Sequence, residues 1–258
     1  MIRLIDTHSH IFLEEFDQDR SEVVERARNA GVECLILPNI DKDSLERLNE
    51  TCRAYPDFCR GMLGLHPTSV DASWRAQLSD IRSFGASMEK VVGIGEIGMD
   101  LYWDRAFLQE QMEALDAQVQ WALEEDLPVS IHCRNAYEEL LEVLAPYRSS
   151  ALKGVFHCFS GTAGDLKRCL EFPGMMIGVG GSFTYKKSAQ SPLLPSIPLD
   201  RMVMETDCPY LPPVPKRGCR NESSFVAYTL SFVARYLEKE EEYLALETSK
   251  NARRLFGL

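Results

Sequence analysis

The sequence predicts a (β/α)₈ barrel, and three observations point to it. Short runs rich in Val, Ile and Leu alternate with longer segments of helical periodicity, the pattern of parallel strands buried on both faces by the helices that connect them. Eight such runs fit within 258 residues, the size of that barrel. All five histidines, His8, His10, His66, His132 and His157, fall at or just past the C-terminal end of one of these runs, the rim where barrels place their chemistry.

In chain order the strands are read at residues 2–6, 33–38, 61–65, 91–95, 128–131, 154–156, 175–179 and 201–205. Helices are read between them at 21–30, 42–54, 72–86, 107–125, 136–145 and 163–171, with two more after Glu222. The seventh connection, residues 180–200, carries prolines and serines and reads as a loop with little helix. An open dinucleotide-binding sheet is the competing architecture, but no GxGxxG follows the first strand, which ends instead in DTHSH. No linker, repeat or low-complexity stretch divides the chain. Pro209, Pro212, Pro213 and Pro215 suit a rigid loop over a site, so one domain is expected over residues 1–258.

Asp and Glu number 39 against 28 Lys and Arg, a formal net charge of −11, which excludes a global basic face that tracks duplex nucleic acid. A polyanionic substrate must be met by a local cationic cluster or by metal ions. The eight cysteines form no CxxC pair, and a chain of this length needs no covalent staples, so reduced thiols and a cytoplasmic location are expected. The start MIRLIDTHSH has no export pattern, and no apolar run approaches the roughly 18 residues of a spanning helix. Neither a membrane nor an obligate protein partner is implied.

Side chains two apart on a strand share a face, so Asp6, His8 and His10 are expected to point the same way, and two imidazoles on one face can grip one ion. Glu96 within GEIGMD and Asp207 within ETDCPYL end strands four and eight, where a dication stabilises a carboxylate that is costly to desolvate. The expected metal ligands are therefore His8, His10, Glu96, His132, His157 and Asp207. These six exceed the three or four protein ligands of one open catalytic zinc site, so two divalent ions sharing a carboxylate fit better, with Mg²⁺, Zn²⁺ and Mn²⁺ all compatible. Cys133, Cys158 and Cys208 directly follow ligand candidates, but alternation points them away.

The motifs DTHSH, GLHP, GEIGMD, IHCR, FHCFSG, GVGG, ETDCPYL and KRGCRNE run in order along the whole chain, and this ordered set resembles the TatD family of metal-dependent deoxyribonucleases, within the amidohydrolase-like barrels. The resemblance implies that His8, His10 and Asp207 hold one ion and His132 and His157 the second, with Glu96 between or beside them. Many related barrels use a carboxylated lysine for that bridge. Here Lys90 precedes strand four on the opposite rim, and Glu96 occupies the useful end. The family commonly shows DTHCH, TDSPYL and RNEP where this chain has Ser9, Cys208 and Ser223, departures that remove no expected ligand.

Phosphodiester hydrolysis fits two ions, and no GxSxG elbow offers another nucleophile, so a metal-bound hydroxide is expected, with Asp207 taking or orienting its proton and Glu96 joining the ions. His66 is expected to meet substrate phosphate or the leaving group. Arg134, two residues past His132, shares its face and aims a planar fork of donors at phosphate. Arg217 and Arg220, with Lys216 and Asn221, form a cationic loop after strand eight, where barrels often bind phosphate, and Glu222 is expected to orient these cations or cap the next helix. Asp100 can hold a ligand histidine in its tautomer, and Tyr102, Trp103, Phe183 and Tyr185 can stack on a base. The acidic balance suits a pocket for one strand end, and with it exonucleolytic trimming of single-stranded or frayed DNA. The alternative is hydrolysis of an amide, lactone or other ester, including the ester of an aminoacylated RNA, since the same ions serve carbonyl chemistry.

Overall fold

The structure is a computed structural model that describes residues 2–258. Among these residues eight strands appear: β1 (Leu4–Asp6), β2 (Val32–Pro38), β3 (Cys59–Leu63), β4 (Val91–Asp100), β5 (Val129–Arg134), β6 (Lys153–Phe156), β7 (Gly174–Val179) and β8 (Met202–Met204). Each pairs in parallel with the next, in the order β1 to β8. The ends meet at a seam just past β1 and β8, where the Thr7 N–H donates to the Met204 carbonyl at 3.1 Å, the Asp207 N–H to the His8 carbonyl at 2.9 Å and the His10 N–H to the Cys208 carbonyl at 2.9 Å. That seam sets residues 8–10 and 207–208 side by side.

Helices α1 (Arg20–Asn29), α2 (Leu45–Ala54), α3 (Trp74–Gly85), α4 (Leu108–Glu124), α5 (Tyr137–Leu144) and α6 (Ala163–Leu170) alternate with the strands, and α7 (Val226–Tyr236) and α8 (Glu241–Phe256) follow β8. The strand period of two separates two apolar sets. Leu4, Leu35, Leu37, Ile131, Ile177 and Met204 belong to the large core shared with the helices. Ile5, Ile36, Met62, Val155, Met176 and Val203 meet across the barrel instead, with Leu255 and Phe256 of α8. Each such buried side chain stabilises the fold by about 1.5–3 kcal/mol. The amide of Asn251 donates to the Leu199 and Met202 carbonyls, both at 2.8 Å, and the Ser249 hydroxyl to the Arg3 carbonyl at 3.0 Å, so α8 closes the N-terminal end. The opposite end is left to polar groups: two residues past Val155 comes His157, and past Val203 come Glu205 and Asp207.

Strand four departs from the expected 91–95. It continues to Asp100, so Glu96 lies within the strand rather than at its end. Gly98, at φ +141°, keeps pairing with His132, and a Cβ there would strike the His132 carbonyl. Residues 180–200 hold only short 3₁₀ turns, at Gly181–Thr184, Ser191–Ser196 and Leu199–Arg201, as their composition suggests. Among the described residues no helix is long and apolar enough to cross a membrane.

Candidate metal centre

Glu96 is the middle of the polar end of the barrel, and its two oxygens face different partners. Oε2 lies 3.1 Å from His8 Nε2 and 3.4 Å from His10 Nε2. Oε1 lies 3.0 Å from His132 Nδ1, 3.5 Å from His157 Nε2 and 3.4 Å from His66 Nε2. Asp207 Oδ1 closes the first set, 3.6 Å from His10 Nε2 and 3.9 Å from His8 Nε2. Three groups of these side chains can each hold an ion: His8, His10 and Asp207; His8, Glu96 and His157; and His66, Glu96 and His132. The donor set fits a divalent metal. The Nε2 atoms of His8 and His10 face each other at 3.1 Å, about the spacing of two nitrogens that each lie roughly 2.0–2.1 Å from one shared ion.

The far nitrogen of most of these rings is also held. His8 Nδ1 meets the Ser130 hydroxyl at 3.1 Å, His132 Nε2 meets Asp100 Oδ2 at 2.9 Å, and His157 Nδ1 lies 3.3 Å from Glu205 Oε1. Such outer partners fix the tautomer and leave the inward nitrogen with its lone pair. His10 Nδ1 is buried without a partner among the described residues, and His157 Nδ1 has no hydrogen bond there, Glu205 standing only at ion-pair distance.

Burial alone would raise the carboxyls of Glu96 and Asp207, but the surrounding histidines outweigh it and hold Glu96 well below the ordinary carboxylate range and Asp207 below it. Burial also opposes charge on His10 and His132. Each nonetheless rises to about 9, because Asp207 and Glu96 flank His10 while Asp100 and Glu96 flank His132. His8, pressed by burial and by the stacked ring of His157, falls to about 4. His157, at the same oxygen of Glu96 as His132, is raised as well, against burial, by Glu205 and Glu96. Without metal, positive charge is therefore favoured on His10 at one oxygen and on His132 and His157 at the other, where a dication displaces it.

A cavity of about 570 Å³ opens above Glu96, and its wall includes His66, His132, Arg134, Trp103 and Tyr210. His66 Nδ1 accepts from the Thr68 N–H at 3.2 Å and meets the Thr68 hydroxyl at 2.6 Å. With Nδ1 used as an acceptor, Nε2 carries the hydrogen, which makes His66 a donor toward the cavity. The exposed Arg134 lies 3.6 Å above the Tyr102 ring on the same wall.

The loop after β8 contributes less than its charge suggests. Arg220 points away from the cavity: its guanidinium pairs with Asp19 at 2.7 and 2.9 Å and covers the Phe16 ring at 4.3 Å. Asn221 is fully buried, its amide donating to the carbonyls of Thr206 (2.8 Å) and Tyr210 (2.5 Å) while its oxygen accepts the Glu222 N–H, so it braces the Asp207 loop instead of meeting substrate. Glu222 holds Arg26 at 2.7 Å, and Arg217 lies over the Tyr185 ring at 4.0 Å, outside the cavity wall. Phe183 is buried and offers no face for stacking. Asp6 does not share the direction of His8 and His10. β1 ends at Asp6, the period of two ends with it, and its carboxylate turns to the Thr206 hydroxyl at 2.6 Å and N–H at 2.9 Å. Cys133 and Cys158 border the cavity, yet no cysteine enters a metal-holding group among the described residues.

Two supporting residues escaped the sequence reading. Glu205 stands two before Asp207 and Ser130 two before His132, so the period of two that aims the inner residues also aims these.

Comparison with known proteins agrees with this geometry. The model of the family described as TatD related DNase matches residues 5–257. A Bacillus subtilis protein named as an uncharacterized metal-dependent hydrolase, YabD, is 37% identical over 263 residues, covering 99% of each chain. A Pantoea ananatis protein named 3'-5' ssDNA/RNA exonuclease TatD is 35% identical over 250 residues, covering 95% of each. The crystal structure of YjjV, a TatD homolog from Escherichia coli K12, superposes with a TM-score of 0.92 at 29% identity, covering 100% of this chain and 99% of that one.

Proposed function

Because this chain belongs to the TatD-related DNase family and is a metal-dependent hydrolase of that type, we propose that it hydrolyses phosphodiester bonds of DNA at the Glu96 centre, trimming single-stranded or frayed ends. The observation that carries this reading is the division of Glu96, whose Oε2 serves His8 and His10 while Oε1 serves His132 and His157. We assign His8, His10 and Asp207 to one divalent ion and His132 and His157 to a second, with Glu96 shared, and either Zn²⁺, Mn²⁺ or Mg²⁺ suits these donors. When bound, such a pair activates water and neutralises charge at phosphorus.

The protein's own groups then have distinct tasks. The carboxylate of Asp207 receives the proton of the attacking water. The Nε2–H of His66, fixed by Thr68, and the guanidinium of Arg134 donate to phosphate oxygens and hold the phosphorus over Glu96. Arg217, stacked on Tyr185 and paired with no carboxylate among the described residues, is left to meet the strand farther out. The net charge of −11 disfavours a long duplex footprint, and the name of the Pantoea ananatis relative, a 3'-5' ssDNA/RNA exonuclease, supports a single-stranded end. Eight free cysteines suit a reducing compartment, and we place the protein in the cytoplasm.

The test is to incubate metal-reconstituted protein with end-labelled single-stranded DNA, duplex DNA, RNA and a generic phosphodiester, with chelated protein as the control. Stepwise shortening from one end, fastest on single strands, is expected. Absence of cleavage of every phosphodiester would overturn the reading.

A further inference from the structure

We propose that Trp103, together with the Arg134–Tyr102 pair, is a seat for one unpaired nucleobase, and that this seat selects strands with a free single-stranded end. The inference deepens the nuclease reading above and rests on it.

Trp103 is 74% exposed, whereas the chain's other tryptophans, Trp74 and Trp121, are 4% and 6% exposed. Leaving that much aromatic surface in water forfeits the burial that ordinarily stabilises an indole, and the ring borders the cavity rather than the core. Its surroundings make a platform. Arg134 lies 3.6 Å above the Tyr102 ring and 5.8 Å from the Trp103 ring, and the two rings meet edge to face at 4.9 Å.

The platform is fixed to the centre by short links. The Tyr102 N–H donates to Asp100 Oδ1 at 3.0 Å, and the other oxygen of Asp100 holds His132 at 2.9 Å. The Leu101 N–H donates to the Arg134 carbonyl at 3.0 Å. A strand whose phosphate lies over Glu96 thus has an indole face beside the His132 side. A base stacks on such a face whatever its identity, whereas a base in a duplex is already paired and stacked and must first be pulled free. The wall also carries Tyr210, 49% exposed, on the His10 side, which leaves the Trp103 side to the arginine-backed seat.

The experiment uses the zinc-reconstituted protein and the fluorescence of Trp103, the one exposed tryptophan. The probes are a phosphorothioate single-stranded oligodeoxynucleotide, the same strand with abasic terminal residues, its blunt duplex and inorganic phosphate. The single strand is expected to quench the emission, and the other three to leave it nearly unchanged. In cleavage assays Trp103→Ala is expected to raise KM for single-stranded DNA about tenfold with kcat nearly unchanged, Trp103→Phe to restore most of the loss, and the two proteins to coincide on the abasic strand. Equal KM values for wild type and Trp103→Ala while the wild type cleaves would overturn the seat and leave the nuclease reading standing. If the wild type cleaves nothing, the nuclease reading fails, and quenching by the single strand alone decides whether a base is bound.

Discussion

Asp100 meets Nε2 of His132 at 2.9 Å, so the nitrogen that His132 turns to Glu96, 3.0 Å away, is Nδ1. A carboxylate behind a ring fixes its tautomer and raises its basicity, and losing such a partner costs about 10–100-fold in metal affinity. Asp100→Ala should therefore weaken one ion by that factor and leave the ion at His8 and His10 nearly unaffected. Calorimetric titration with Zn²⁺ separates the two, and equal weakening of both would show that Asp100 does not act through His132.

Asp207→Asn should lower kcat by about 10²- to 10⁴-fold, the usual contribution of a positioned proton acceptor. The fold should survive, because the seam bond at this position runs from the backbone N–H of Asp207 to the His8 carbonyl and not from the side chain. Steady-state kinetics beside a circular dichroism melt checks both halves. A near-normal rate would remove Asp207 from proton transfer.

Removing metal should cost stability. Two carboxylates and five imidazoles converge at one end of the barrel, and without dications only protons offset that charge. Ions at 100 times their Kd contribute about 2.7 kcal/mol each, a rise in Tm of roughly 5 to 10 °C for a chain of this size. Differential scanning calorimetry with chelator and then with Zn²⁺ or Mn²⁺ reads this shift. An unchanged melt would mean that the cluster does not hold the ions.

Arg220→Ala should lower stability by about 1 kcal/mol and leave kcat/KM within about twofold, because its partner is Asp19 and not substrate. The pH dependence follows from Asp19, whose carboxyl is held below its ordinary value first by the Arg220 hydrogen bond, against burial, with help from Arg26. A depressed carboxylate stabilises the fold fully above its unfolded value of about 3.9, and the contribution is lost as pH falls through the folded value. Urea unfolding of wild type and variant should thus differ at pH 7 and converge below about pH 4. A large loss of activity in Arg220→Ala would restore it to the substrate path.

The barrel and its histidines were legible because both are written locally: apolar runs mark strands, and a histidine just past a run lands on the rim. Partners across the chain were not. Nothing near KRGCRNE announces that Arg220 meets Asp19, and charge alone cannot tell a phosphate ligand from an internal ion pair. Asp6 misled because alternation was carried past the last strand residue, while Glu205 was missed although the same alternation, applied backward from Asp207, reaches it. The glycines of GEIGMD hid the length of β4, since glycine marks both a break and a close approach of two backbones.

The three departures from the family pattern touch one another. Ser9 Oγ lies 3.1 Å from Cys208 Sγ and 3.0 Å from Ser223 Oγ, and Cys208 Sγ lies 3.7 Å from Ser223 Oγ, all three residues fully buried. Where the family commonly has cysteine then serine, this chain has serine then cysteine, so one sulfur and one oxygen occupy the contact either way. Cys208→Ser alone leaves space where the sulfur was, and Ser9→Cys alone sets two sulfurs in room for one, so each should cost about 1 kcal/mol. The double variant restores the pair in reverse and should return to within about 0.5 kcal/mol of wild type, a coupling well above the deviation from additivity of distant, independent sites. Because Ser9 stands between His8 and His10 and Cys208 follows Asp207, zinc affinity should fall and recover in parallel. Urea unfolding and metal titration of the four proteins complete the cycle, and simple addition of the two single costs would show that the exchange is not compensatory.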